Sequence, residues 1–155
     1  MSRHYGMQHR CGKRSRASRW PQASVRIPNL AVVKPVPANR LKLGSVVWAH
    51  VPFEDCDGHK TRPAVVVTTD RRSAVLLPGS TSRRRLDLPQ RYQELTDLAS
   101  AGLARPTGIR LQPTVVDRVD LVDLCGELSD DDVDALTKRI DLEAARQLLE
   151  AVHAA

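Results

Sequence analysis

The side chain best placed to do chemistry is Arg62. It stands directly before Pro63–Thr69, an apolar run rich in valine, so it falls where a loop enters a strand. A guanidinium based there stays charged and can hold a phosphate through two parallel hydrogen bonds. The plainer alternative is a surface salt bridge. Ser80, Thr81 and Ser82 follow the next apolar run, Ala74–Pro78. Hydroxyls at such a position bond a phosphate oxygen or simply stabilise the turn. Arg83, Arg84 and Arg85 come next. That run is either solvated surface or, beside the hydroxyls, a phosphate footprint.

Other constellations are weaker. His50, Cys56, Asp57 and His59 could be drawn into a mixed metal site, but their spacings match no standard zinc pattern and a fourth ligand is not evident. A solvated loop is the expected reading, with no metal and no cofactor. The chain has no GxSxG elbow and no P-loop. Its three cysteines, Cys11, Cys56 and Cys125, form no CxxC pair. A disulfide framework is therefore not expected, and a reducing cytoplasm fits best. No apolar run approaches the roughly 18 residues of a membrane-spanning helix.

These groups must be positioned by short strands. Ser45–Val51 is a strand candidate that includes Trp48; with Phe53 and Tyr92 it is one of the rings available for base stacking, but it is expected in the core. Pro52–Thr61 reads as a loop. Pro63–Thr69 and Ala74–Pro78, joined by the turn Asp70–Ser73, read as a hairpin. Gly79–Arg85 is expected to be a polar, basic loop. A strand near Tyr92 follows, then a helical turn over Asp97–Ala101 ending at Gly102, then strands over Thr107–Leu111 and Thr114–Asp120. Ser129 with Asp132 fits a capping-box-like start. Val133, Leu136 and Ile140 then fall on one helical face, and Asp141 either caps a second helix or lies within one long helix. The expected fold is mainly β with C-terminal helices: a small, strongly bent antiparallel sheet or barrel.

Charge is unevenly spread. The chain of 155 residues has a formal net charge of +6. No acid precedes Glu54, residues 58–118 carry a net +6, and residues 119–155 carry a net −7. The basic middle is the more informative part and suits a polyanionic partner. Residues 1–40 are basic; Met1–Trp20 has few apolar side chains, and Ile27–Ala38 adds Pro28, Pro35 and Pro37. They are expected to be a disordered tail and linker ahead of a domain over 41–155. A nucleic-acid-binding arm and an organellar transit peptide are the other readings of that segment.

Several stretches together resemble the MazF/PemK family of toxin–antitoxin toxins. They are Gly44-Ser-Val-Val-Trp48, Gly58-His-Lys-Thr-Arg62-Pro63, Leu76-Leu-Pro78 with Ser80-Thr81-Ser82, Ala101-Gly102-Leu103, and Val116-Asp117-Arg118 with Gly126-Glu-Leu128-Ser129. The resemblance spans about residues 41–140. It implies an SH3-like or CcdB-like barrel, usually a homodimer, that cuts single-stranded RNA without a metal and leaves a 2′,3′-cyclic phosphate. It carries the family's catalytic arginine onto Arg62 and its catalytic hydroxyl onto Thr81, with Ser80 second. Lys60, Arg83, Arg84 and Arg85 become expected RNA contacts. An acidic antitoxin is the implied partner, and no membrane is involved. The alternatives are an inactive RNA- or protein-binding module on the same barrel and a CcdB-like gyrase poison, since one fold carries several activities.

Overall fold

The computed structural model describes residues 36–53 and 57–154. At its centre are three antiparallel strands, β1 (Ser45–Pro52), β2 (His59–Thr69) and β3 (Ser73–Ser80). Valines run almost unbroken through them because both faces are covered. Val46, Val65, Val75 and Leu77 point to one side, with Ile109, Leu136, Ala145 and Leu149. Val47, Ala49, Ala64, Val66 and Leu76 point to the other, with Val116 and Leu121. Alternation along each strand thus feeds two cores rather than one core and solvent.

The register is set by pairs from Val46↔Val65 to Pro52↔His59 between β1 and β2. The β2–β3 connection is the expected tight turn. Asp70 Oδ1 accepts from the Arg72 and Ser73 N–H groups at 2.7 and 2.8 Å, mimicking a backbone turn. Four shorter strands complete the sheet: β4 (Tyr92–Glu94), β5 (Gly108–Arg110), β6 (Thr114–Asp117) and β7 (Leu121–Glu127). The strand order is β4-β5-β3-β2-β1-β7, with β6 also on β3. The sheet curls around the second core like a barrel, and its two ends are not joined by hydrogen bonds. The expected fold class holds: mainly antiparallel β, with helices at the C-terminal end.

Those helices are α2 (Asp130–Thr137) and α3 (Leu142–Ala154); α1 is a single turn, Arg83–Leu86. Ser129 caps α2, its Oγ accepting from Asp132 N. The return half of a capping box is absent, because the Asp132 carboxylate points elsewhere. It is 1% exposed and accepts from Thr96 N, Thr96 Oγ1 and Asp97 N at 2.9 to 3.0 Å. Asp141 does cap α3, taking the N–H groups of Glu143 and Ala144 at 3.0 Å. Of the two readings of Asp141, the cap of a second helix is the one that holds. Residues 97–101 form turns held by Asp97, whose carboxylate bonds Ser100 N and Oγ. The helical turn expected there forms: the Ala101 N–H reaches the Asp97 carbonyl, Asp97 caps its start through Ser100 N, and Gly102 at φ +71° ends it, with the Leu103 N–H on the Leu98 carbonyl.

The tail expected over residues 1–40 lies outside the described residues as far as position 35. Val36 and Leu41 are buried in the second core. Arg118 binds the Val36 carbonyl through Nη2 at 2.5 Å and the Asp70 carbonyl through Nη1 at 3.0 Å. No helix among the described residues is long and apolar enough to cross a membrane.

Candidate functional site

Arg62 lies within β2, across from Ala49 of β1. It shares the face of Ala64 and Val66, at the rim of the barrel-side core, and is half-buried. The strand begins at His59, earlier than the expected loop boundary, because the Phe53 N–H to Gly58 carbonyl bond closes the hairpin tip. Lys60 is exposed and stands across from Val51 on the same face as Arg62.

The β2–β3 ladder ends at the pair Ala64↔Pro78. Neither Pro63 nor Pro78 has an N–H to extend it. The same register carried further sets Pro63 beside Gly79 and Arg62 across from Ser80. Gly79 does lie against Pro63: a Cβ there would come 2.9 Å from the Pro63 carbonyl oxygen. Glycine thus permits the close approach that brings Ser80 level with Arg62. Directly opposed residues of an antiparallel pair project from the same face.

Gly79 and Ser80 belong to β3 rather than to the expected loop, because Gly79↔Ile109 and Ser80↔Gly108 extend the ladder onto β5. Ser80 is half-buried, and its Oγ accepts from Ser82 N at 3.3 Å. Thr81 follows the strand and is exposed. Arg83, Arg84 and Arg85 form the exposed turn α1. Arg62 and Ser80 therefore stand on neighbouring strands just past the end of their ladder, with Thr81 one residue beyond Ser80 and the three arginines on the turn that follows in the chain.

The histidines lie elsewhere. His50 Nδ1 is 2.8 Å from Thr61 Oγ1, and the His50 and His59 rings meet edge to face with centroids 5.1 Å apart. By register all three project from the face opposite Arg62. Cys56 lies outside the described residues. Among the described residues no three His, Cys, Asp or Glu side chains cluster to hold a metal. Trp48 shares the face of His50 and is 39% exposed, which corrects its expected place in the core. The buried positions of β1 beyond Val46 are Val47, Ala49 and Val51; Trp48 falls out of phase with them. This ring surface was readable from the alternation of Trp48 and His50 with those three residues, a signal that hydrophobicity alone conceals.

Two recesses lie between the sheet and the α2–α3 pair, away from Arg62. The larger, about 220 Å³, is lined by Val67, Leu77, Leu111, Arg139 and Ile140 among others. Cys125 is half-buried; burial, with the neighbouring Asp123 charge, pushes its thiol up to about 12. It is not a ready nucleophile.

A curled antiparallel sheet with a half-buried arginine and a strand-end hydroxyl on one rim, and a basic turn beside them, suits the binding of phosphates. Residues 42–143 match the profile of the PemK-like, MazF-like toxins of type II toxin–antitoxin systems, and the chain belongs to that family. Among solved structures it is similar to Mycobacterium tuberculosis toxin MazF-mt6, with 19% identity, 66% of this chain and 96% of that chain covered, and a TM-score of 0.46. No curated protein matches.

Proposed function

We propose that the protein is the toxin of a toxin–antitoxin pair and cuts single-stranded RNA without a metal. The observation that supports this most is the β2–β3 register, which ends at Ala64↔Pro78 and, carried two residues further, sets Ser80 across from Arg62. The reaction needs no external nucleophile. A ribose 2′-oxygen attacks the adjacent phosphorus, the bond to the 5′-oxygen breaks, and a 2′,3′-cyclic phosphate and a 5′-hydroxyl result. The protein must align the sugar and stabilise charge on the non-bridging oxygens. Arg62 suits that charge. A guanidinium does not deprotonate in proteins, so it serves as electrophile rather than base. Register favours Ser80 as the partnering hydroxyl and the family resemblance favours Thr81. Lys60 and Arg83–Arg85 hold flanking phosphates. The protein works as a cytoplasmic homodimer, and an acidic antitoxin segment competes with RNA for the same basic surface.

Cleavage of a long unstructured RNA in EDTA tests the reading. Wild type is expected to cut, Arg62→Ala to lose the activity while keeping its melting temperature, and Ser80→Ala and Thr81→Ala to show which hydroxyl matters. Normal cleavage by Arg62→Ala, or wild-type cleavage that disappears with EDTA, refutes it.

A further inference from the structure

The chain is poor in aromatic rings, with one Phe, two Tyr and two Trp. Of the three such residues in the described part, Tyr92 is buried, while Trp48 and Phe53 are 39% and 40% exposed. Both exposed rings belong to the β1–β2 hairpin, which also carries the His50–His59 pair. The β1–β2 register puts Trp48, His50 and His59 on a single face, with alternate residues of one strand about 6.6 Å apart. A large ring left partly in water forgoes about 1 kcal/mol or more of burial. Gathering such rings in a chain with so few marks a surface that something covers.

We propose that this face is a stacking platform for the unpaired bases of an RNA strand. Trp48 and the His50–His59 pair take the bases. Lys60 and Arg62, on the other face of the same hairpin, hold the phosphates. The inference rests on the RNA reading above and adds a second face to it. Two observations favour RNA over a protein partner. The surrounding segment 58–118 is basic, at net +6, although Pro63 of β2 and Asp123 of β7 stand across from Trp48. Pairing of β1 with β7 ends at Ala49↔Leu121, so over His50–Pro52 a strand can cross the β1 edge from one face to the other. Thr61 holds the His50 ring in place, because a hydroxyl can either donate to Nδ1 or accept from it. Single strands qualify and duplexes do not, since a paired base has its faces already stacked.

The test compares two ligands of equal length and charge on the full chain by fluorescence anisotropy. One is a short single-stranded oligonucleotide made uncleavable by 2′-deoxy substitution; the other is the same phosphodiester chain without bases. Wild type is expected to prefer the first. Trp48→Ala should weaken it roughly 5- to 100-fold while leaving the abasic affinity and its salt dependence unchanged. Trp48→Phe, the conservative variant, should retain most of the preference, and His59→Ala should lose less than Trp48→Ala. Arg62→Ala should show the reverse pattern, keeping the base preference while losing cleavage. Equal binding of the two ligands by wild type, or wild-type affinity in Trp48→Ala, overturns the platform. So does a Trp48→Ala protein whose oligomeric state changes while its base preference stays, because the face then joins copies of the chain. Base preference in a wild type that cuts no RNA leaves the platform standing and removes the nuclease reading instead.

Discussion

Replacing Asp132 should show how much of the domain hangs on one buried carboxylate. Its two oxygens take the Thr96 N–H, the Thr96 hydroxyl and the Asp97 N–H, and Ser129 Oγ caps its own N–H. Asp132→Ala leaves the Thr96 N–H and hydroxyl and the Asp97 N–H without this acceptor, on residues that are exposed and half-buried. Water reaches them in part, so the low end of about 1–3 kcal/mol for each unsatisfied donor applies and a loss of about 2–4 kcal/mol is expected. Asp132→Asn keeps one acceptor oxygen and turns an NH₂ group toward a donor, for a loss of about 2–3 kcal/mol. Urea unfolding followed by circular dichroism gives both numbers directly. The pH dependence supplies an independent check. Burial pushes the Asp132 carboxyl up, but the hydrogen bonds from Asp97, Thr96 and Ser129 outweigh it and hold the group below the ordinary 3.8. As pH falls past that value the unfolded chain binds the proton first. The stabilisation is therefore complete above about pH 5 and is lost as pH drops through the native titration, with a slope of at most about 1.4 kcal/mol per pH unit. Asp132→Asn should flatten that part of the curve. An Asn variant within about 0.5 kcal/mol of wild type at pH 7 would refute the reasoning, as would an unchanged acid limb.

Three further outcomes are expected. Gly102 has φ +71°, and a Cβ there would lie 2.3 Å from the Cys125 carbonyl oxygen; Gly102→Ala should cost about 2 kcal/mol or more in the same unfolding assay. A chain starting at residue 36 should melt measurably higher than one starting at residue 39, because the shorter chain loses Val36 from the core and the carbonyl that Arg118 binds; equal melting temperatures would show that the contact is dispensable. With its thiol near 12 against an ordinary 9.0, native Cys125 should react with iodoacetamide at pH 8 about a thousandfold more slowly than in urea, read by peptide mass spectrometry.

The central strands were legible because Val46–Val47, Ala64–Val67 and Ala74–Leu77 are short β-branched or aliphatic runs bounded by Gly44, Pro63 and Asp70. Arg62 was legible for the same reason, since its position follows from where the run begins. Ser80 was less so: its place in β3 depends on pairing with Gly108, which no local signal announces. Trp48 was misplaced because residue type was weighed above phase. Asp132 sits in a row of three aspartates that all suit a helix N-terminus. That one of them turns inward to residues 96 and 97 is set by tertiary packing, which local pattern does not encode.

The knot at the β2–β3 turn has a practical corollary. Val36, through Arg118, and His153, through a 2.5 Å contact with Asp70, are both tied to this one bend. Arg62 lies at the other end of β2, seven residues or about 23 Å from Thr69 along the strand. Both ends of the described domain are therefore gathered at the pole away from the candidate site. An affinity tag, a fluorescent fusion or a surface tether placed at either end leaves the arginine corner and the ring face open to solution. A linker between Val36 and His153 would close the domain into a loop without crossing either surface.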